Sequence, residues 1–274
     1  MTFLCGLKTP LFFLKILAFR GIDMKIAIIT GASSGLGVEF YKAIQKEAID
    51  EAWIIARRED RLNEIKDSLS IISTRVIPMD ITTREGIEAL KALLDAEKPD
   101  IRFLINNAGA GVYGAIENAD YKAQGSMVEL NARAVTEITT LALPYMSPHS
   151  CIINTCSIAS FAPNANLTVY SSTKAYILSF SRGLRYELRH RKINVTAICP
   201  GPMETEFLAV AGLDEGQSRA FDRLPRCNPQ KTAVKGIRAS KKGKAVYTPR
   251  FFYKLYRALS KILPTSLIIK LAKT

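Results

Sequence analysis

Three residues have the types and spacing needed for proton transfer to an oxygen atom. Tyr170 and Lys174 stand four positions apart in YSSTK, so a helix would place them on one face. Tyrosine, with a reference pKa of about 10, is a poor base at neutral pH, but a neighbouring ammonium favours its phenolate. Ser157, just after the strand-like segment CIINTC, can hydrogen-bond the same oxygen. This set predicts general acid/base chemistry on a carbonyl or an alcohol.

A glycine-rich turn, TGASSGLG, follows the first strand-like segment, IAIIT. Glycines there let the backbone approach a pyrophosphate, whose charge is met by amide N–H groups and the N-terminus of the next helix. The position between the first strand and the first helix therefore predicts a dinucleotide site. Its expected contacts are Gly31, Ser33, Ser34, Gly35, Leu36 and Gly37.

The end of the second strand-like segment should select the cofactor, with an acid for NAD or a cation for the 2′-phosphate of NADP. Arg57 stands twenty positions after Gly37 and is followed by Arg58. Guanidinium groups suit a phosphate, and no carboxylate is expected at this place to repel it. NADP(H) is therefore the predicted cofactor. The alternative is that both arginines are solvated loop charges paired with Glu59 or Asp60.

The order of segments predicts a doubly wound, Rossmann-type α/β fold in one catalytic domain, residues 24–249. Apolar strand-like runs alternate with helical patterns that begin at Leu36 and cover 60–69, 84–96, 126–146 and 169–190. Strands that are apolar on both faces and separated by helices indicate a parallel sheet covered on two sides. The runs are IAIIT, AWIIA, TRVIPM, IRFLIN, CIINTCS and INVTAI. The alternation then breaks at 203–228, a predicted substrate lid, before a helix over 230–241 and a last strand, KAVYT.

Together these motifs resemble the classical short-chain dehydrogenase/reductase family over residues 25–207. The resemblance rests on the glycine turn, MDIT with Asp80, NNAG at 106–109, Asn131, Ser157 with Tyr170 and Lys174, and PGPMET at 200–205. Cys156 and Ser160 stand where the family frequently has serine and glycine. These two departures put no catalytic role in doubt.

The resemblance implies roles for the matching side chains. Tyr170 would be the general acid/base and Ser157 would orient the substrate oxygen. Lys174 would bind the nicotinamide ribose and lower the pKa of Tyr170, and Asn131 would hold a water that relays protons. The implied cofactor contacts, besides the glycine turn and the arginines, are Asp80, Ile81, Asn107, Ala108, Gly109, Tyr170, Lys174, Pro200, Gly201, Met203 and Thr205.

The implied activity is NADP(H)-dependent interconversion of a hydrophobic ketone and a secondary alcohol, with a steroid or a 3-oxoacyl compound as the kind of substrate. The family also implies a homodimer or homotetramer. The competing hypothesis is a protein that binds NADP(H) without catalysis, as a sensor or a scaffold on a membrane surface. Intact Ser157, Tyr170 and Lys174 argue against it.

Composition is that of a globular protein, with 274 residues of which 48% are hydrophobic. Five cysteines are odd in number and form no CxxC pair, so neither a disulfide framework nor a metal site is indicated. A cytoplasmic location, with possible association with a membrane, is expected. Residues 1–23 contain the apolar run Leu11–Phe19, which Lys15 interrupts and which is shorter than the ~20 residues of a spanning helix. They are interpreted either as an appendage or as a segment before a functional start at Met24.

The formal charge of +13 lies almost entirely at one end of the chain. Residues 231–274 contain twelve lysines and arginines and no acidic residue, whereas residues 1–230 carry 26 basic and 25 acidic ones. The segment 250–274 interleaves cations with apolar residues, a pattern typical of helices on anionic membranes. It could equally pack over the substrate pocket or against a partner subunit. Without a nucleic-acid motif, no nucleic-acid partner is expected.

Overall fold

A parallel sheet of seven strands forms the centre of the molecule, which a computed structural model describes over residues 24–213 and 219–271. The strand order is β3-β2-β1-β4-β5-β6-β7, and every pairing is parallel. The strands are β1 Lys25–Thr30, β2 Glu51–Ala56, β3 Ser73–Pro78, β4 Asp100–Asn106, β5 Cys151–Thr155, β6 Asn194–Ile198 and β7 Val246–Tyr247. The predicted doubly wound fold is confirmed.

Helices connect the strands and cover both faces of the sheet. They are α1 Gly35–Ile44, α2 Glu59–Leu69, α3 Arg84–Glu97, α4 Tyr121–Val128, α5 Ala134–Ala142, α6 Thr168–Glu187, α7 Glu206–Val210, α8 Arg219–Asp222, α9 Pro229–Lys241, α10 Phe251–Ile262 and α11 Thr265–Leu271. Successive side chains of a strand point to opposite faces. Ile28 of β1 accordingly packs in one buried cluster with Leu90 of α3, and Ile29 packs in the other with Phe40 of α1.

The helix expected over 126–146 differs most from the prediction. The Asp120 carboxylate accepts hydrogen bonds from the backbone N–H groups of Lys122 and Ala123, so α4 begins earlier, at Tyr121. A π-helical turn, Glu129–Arg133, then separates α4 from α5. Such turns interrupt the regular 3.6-residue period locally and frequently mark functional sites. The last strand is also shorter than KAVYT, because only Val246–Tyr247 pairs with β6.

The C-terminal segment forms two helices, α10 and α11, with Pro264 between them. Proline cannot donate a backbone hydrogen bond, so it ends the first helix. None of the helices within residues 24–213 and 219–271 is both long and apolar enough to cross a bilayer. The interpretation of residues 1–23 lies outside the described residues.

Candidate active site

A cavity of about 480 Å³ opens at the carboxyl ends of the strands. The strand order reverses between β1 and β4, the neighbours whose connections run in opposite directions along the sheet. Ligands of doubly wound sheets bind in the crevice at this reversal. The expected residues that line the cavity are Gly31, Ser33, Ser34, Gly35, Leu36, Arg57, Arg58, Asp80, Ile81, Asn107, Ala108, Gly109, Ser157, Tyr170, Lys174, Pro200, Gly201, Met203 and Thr205. Gly37 and Asn131 are the two expected residues that do not line it.

The glycine turn is held against the end of β4. Gly31 has a φ of +66°, and a Cβ there would come within 2.7 Å of the Ala108 Cα. Only glycine fits both the left-handed backbone and the close approach. The Asn107 amide donates to the carbonyl oxygens of Thr30 and Gly31 at 3.3 and 3.2 Å. Gly37 lies behind the turn, where its N–H donates to Ser34.

Ser157, Tyr170 and Lys174 converge in the cavity from two elements. Ser157 follows β5, and its side chain lines the cavity together with Tyr170, which lies in the first turn of α6. Lys174, one turn further on, is buried, and its Nζ lies 5.7 Å from the centre of the Tyr170 ring and donates to the Thr155 carbonyl oxygen at 3.0 Å. The spacing of four therefore places Tyr170 and Lys174 on one face of α6, and the end of β5 adds Ser157.

The pKa of Tyr170 is governed mainly by its burial. Burial raises the pKa of Tyr170 to about 12, and the nearby Ser157 hydroxyl opposes this shift only in part. Burial also lowers the pKa of Lys174. A phenol with this pKa keeps its proton at neutral pH, so Tyr170 is set to donate a proton rather than to accept one.

Asn131 supports the cavity from the π-helical turn between α4 and α5. Its amide donates to the Ala110 carbonyl oxygen at 2.8 Å and to the Thr173 hydroxyl at 3.1 Å, and its Oδ1 accepts from the Ala110 N–H at 2.9 Å. It thereby joins the loop after β4 to α6, which carries Tyr170. Both amide protons of Asn131 are used inside the protein.

Arg57 and Arg58, at the end of β2, both have carboxylate partners. The expectation that no carboxylate lies beside these arginines is therefore wrong. Arg58 donates to Glu206 at 2.9 Å and to the Ser33 hydroxyl at 3.3 Å. The hydrogen bond from Arg58 lowers the pKa of Glu206. Arg57 lies 4.0 Å from Asp80. The partners are not the adjacent acidic pair: Glu206 begins α7, which packs on the glycine turn, and Asp80 follows β3, the strand beside β2.

Asp80 is held by its own loop. Desolvation opposes its charge, but hydrogen bonds from the Thr82 hydroxyl and N–H, at 2.6 and 2.8 Å, together with the charge of Arg57, leave the pKa of Asp80 below its usual value. Both hydrogen bonds from Thr82 use Oδ1, so Oδ2, which lies 4.0 Å from Arg57, can accept hydrogen bonds from a ligand.

Sequence reasoning missed the apolar wall beside Tyr170. The Phe207 ring centre lies 5.9 Å from that of Tyr170. The other apolar residues of this wall lie just before α6, on α7 and α8, or next to these two helices: Leu167, Leu208, Val210, Leu213, Phe221 and Leu224. The apolar residues of EFLAV in the predicted lid were a visible signal. No hydrophobic periodicity or motif indicated which of these side chains would face the cavity.

The described cysteines, Cys151, Cys156, Cys199 and Cys227, are free and buried. The Cys156 thiol donates to the Lys174 carbonyl oxygen at 3.0 Å, so it packs against the back of the site. Burial raises the pKa of Cys199. Within the residues that the structure describes, no group of three or more His, Cys, Asp or Glu side chains is arranged to hold a metal ion.

Solved structures share this architecture. A short-chain dehydrogenase from Sphingobium yanoikuyae, solved in complex with NADPH, is 24% identical with a TM-score of 0.74, covering 87% of this chain and 93% of its own. A short-chain dehydrogenase/reductase from Burkholderia phymatum, solved in complex with NAD, is 19% identical with a TM-score of 0.76, covering 92% and 96%. At these identities the likeness shows the fold.

Sequence relatives go further. An uncharacterized oxidoreductase of Staphylococcus epidermidis is 30% identical over 204 residues, 73% of this chain and 86% of that protein. One from Staphylococcus aureus strain N315 is 30% identical over 187 residues, 68% and 80%. The family model for short chain dehydrogenase matches residues 25–216. This chain belongs to the short-chain dehydrogenase/reductase family of oxidoreductases.

Proposed function

We propose that this protein is an NADP(H)-dependent oxidoreductase that interconverts hydrophobic ketones and secondary alcohols. The observation that carries the proposal is the pair of Ser157 and Tyr170, with Lys174 beside it, in one cavity that continues to the glycine turn. The pair provides two hydrogen-bonding groups for one substrate oxygen. The turn provides a place for a pyrophosphate.

In ketone reduction, the side chains of the site would act on the carbonyl oxygen. Ser157 would donate a hydrogen bond to this oxygen and fix its position. A bound reduced nicotinamide supplies the hydride that the carbonyl carbon receives. As that bond forms, the C=O π electrons move to oxygen, and the oxygen takes the Tyr170 proton to give the alcohol. Lys174 would then stabilise the phenolate. Asn131 would hold α6, and with it Tyr170 and Lys174, in position through its hydrogen bonds to Ala110 and Thr173.

The residues fit a phosphorylated dinucleotide. Gly31 has the positive φ and the close approach that a phosphate-binding turn requires, and α1 begins at Gly35, beside the same cavity. Arg57 and Arg58 provide cations at the end of β2, where a 2′-phosphate would lie. Their present carboxylate partners are exposed or half-buried and exchange with a phosphate at small cost.

The apolar wall supports a hydrophobic substrate. Phe207 and its neighbours on the lid, residues 203–228, border the Tyr170 side of the cavity, whereas the arginines border the other side. A ketone with an extended ring system or an acyl chain would bury its carbon skeleton there. Steroids and 3-oxoacyl compounds are the two classes proposed.

A spectrophotometric screen tests this proposal. Ketosteroids, 3-oxoacyl thioesters and their alcohols are offered with NADPH and with NADH, and the reduced nicotinamide absorbance is followed. We expect turnover with hydrophobic ketones and a preference for NADPH. Tight NADPH binding without turnover of any substrate would instead support a non-catalytic sensor.

The raised pKa of Tyr170 predicts opposite pH responses for the two directions. Reduction uses the protonated phenol, which predominates at every pH below about 12, so its rate should stay level from about pH 6 to pH 9. Oxidation uses the phenolate, so its rate should rise with pH over the same range. Initial rates at saturating cofactor check this. A plateau of oxidation near neutral pH would show that the phenol ionises there.

Glu206→Gln should improve the use of NADPH. The carboxylate holds Arg58 and would stand near a 2′-phosphate, so its removal frees the guanidinium and removes a repulsion. We expect the KM for NADPH to fall about three- to fivefold, the size typical of exposed ion pairs, with little change for NADH. Glu64→Gln is the control, because Glu64 pairs with Arg61 and does not line the cavity that holds Tyr170. An equal fall for both cofactors would contradict a role at the phosphate.

A further inference from the structure

The exposed side of helix α10 carries a stripe of large apolar residues. At 3.6 residues per turn, Phe251, Leu255, Leu259 and Ile262 follow one another along one side of the helix. All four are exposed, Phe251 and Ile262 by 79% each. Six of the fourteen exposed large hydrophobic residues in the described part of the chain lie within 251–267. An apolar patch of this density marks a surface that meets a partner.

Cations border the stripe. Lys254 and Lys261 lie on α10 and Lys270 lies on α11, and all three side chains are exposed. No acidic residue occurs in the sequence after position 230. Within residues 24–213 and 219–271, no carboxylate forms an ion pair with these three lysines. The surface therefore combines apolar side chains with uncompensated positive charge.

The opposite side of α10 attaches the helix to the body of the protein. Tyr253 is fully buried, and its hydroxyl donates to the Pro225 carbonyl oxygen at 2.8 Å. A Cβ on Gly201 would overlap the Tyr253 ring. The Tyr256 ring centre lies 6.2 Å from that of Phe161. The helix is thus fixed through these contacts, and its apolar stripe is not used to hold it.

We infer that the exposed face of α10 and α11 is a docking surface for an anionic lipid bilayer. In such a bilayer the apolar side chains of the stripe insert into the acyl-chain region while the lysines bind the negative headgroups. A second copy docked through the same face would bring like charges together. Residues 1–23 carry Lys8, Lys15 and Arg20 against the single acid Asp23, so they match this face poorly in charge. A nucleic acid would leave the apolar stripe without a partner.

Docking would hold the cavity close to the lipid. Tyr253 of α10 contacts Gly201 and Pro225, which lie before and after the two helices, α7 and α8, that carry most of the apolar wall. Hydrophobic ketones dissolve in the bilayer, so a docked enzyme would meet them at high local concentration. This consequence rests on the proposed function, whereas the docking itself does not.

Vesicle co-sedimentation of the full chain tests the inference. One set of vesicles contains phosphatidylcholine alone, and the other also contains phosphatidylglycerol. We expect the protein to pellet with the anionic vesicles at least ~tenfold more strongly than with the neutral ones. High salt should weaken this binding, because it screens the lysines.

Two variants separate the contributions of charge and of the apolar stripe. Lys254→Glu/Lys261→Glu/Lys270→Glu and Phe251→Gln/Ile262→Gln should each bind anionic vesicles at least ~tenfold more weakly. Their matched controls change exposed residues elsewhere and should bind like the natural protein. The controls are Lys66→Glu/Lys122→Glu/Arg182→Glu and Ile71→Gln/Tyr121→Gln. Reduction of a water-soluble ketone, where turnover is found, should be unchanged in all four.

Three results would overturn the inference. The first is that the natural protein does not bind anionic vesicles more strongly than neutral ones. A second such result is that the lysine variant and the Phe251/Ile262 variant bind anionic vesicles as tightly as their controls. Binding would then belong to another segment, such as residues 1–23. Finally, analytical ultracentrifugation finds an oligomer that Phe251→Gln/Ile262→Gln dissociates, which would make the face an interface between copies. Failure of the ketone screen leaves the vesicle result unaffected, so the two proposals are tested separately.

Discussion

Tyr170→Phe should lower the turnover of ketone reduction about a thousandfold while NADPH still binds. The substitution removes only the hydroxyl, which lies in the cavity with Ser157 and carries the transferable proton. Loss of a positioned general acid costs 10²- to 10⁴-fold in rate. The ring remains, so its contact with Phe207 and the shape of the cavity are kept. Steady-state rates and cofactor fluorescence titrations measure the two effects independently.

Tyr176→Phe is the matched control. Tyr176 lies on the same helix, and its hydroxyl forms an exposed hydrogen bond with that of Thr136 at 2.9 Å, away from the cavity. We expect its turnover to equal that of the natural protein. Full activity of Tyr170→Phe would refute the proposed mechanism. Loss of NADPH binding in that variant would show that the hydroxyl serves the cofactor instead.

Arg57→Ser/Arg58→Ser should reverse the preference for NADPH. A hydrogen bond between charged groups contributes about 1.5–3 kcal/mol, so loss of two guanidinium groups should lower kcat/KM for NADPH on the order of a hundredfold. The value for NADH should change little, since a 2′-hydroxyl carries no charge to bind. Serine keeps a small polar side chain at each position and leaves the end of β2 intact.

Arg61→Ser controls for the general loss of positive charge. Arg61 also approaches Glu206, at 3.7 Å, but it does not line the cavity that holds Tyr170. Its effect on the ratio of the two cofactors should be less than about threefold, as for other exposed charges. A natural protein that uses NADH as well as NADPH would show that Glu206 and Asp80 neutralise the arginines in function too.

Local sequence signals were sufficient for the sheet and for the placement of most site residues. The apolar runs predicted six of the seven strands closely, because strands buried on both faces consist mainly of apolar residues. The spacing of Tyr170 and Lys174 predicted their common face, since it depends only on helix geometry. The positive φ of Gly31 agrees with the turn that the glycines predicted.

What sequence could not provide depends on long-range packing. Glu206 meets Arg58 across 148 positions, and no local pattern encodes that pairing. The π-helical turn that carries Asn131 keeps the composition of an ordinary helix. The protonation of Tyr170 depends on its burial, which the surrounding lid and loops decide.

The contact between Gly201 and Tyr253 links the family-typical part of the chain to the part beyond it. Gly201 lies inside the matched range 25–216, and Tyr253 lies outside. A side chain at 201 requires a smaller residue at 253, and an alanine at 253 leaves a hole beside the loop that lines the cavity. The two positions can therefore change only in concert, and a double-mutant cycle should find them non-additive. Relatives with a different C-terminal segment need not keep this glycine.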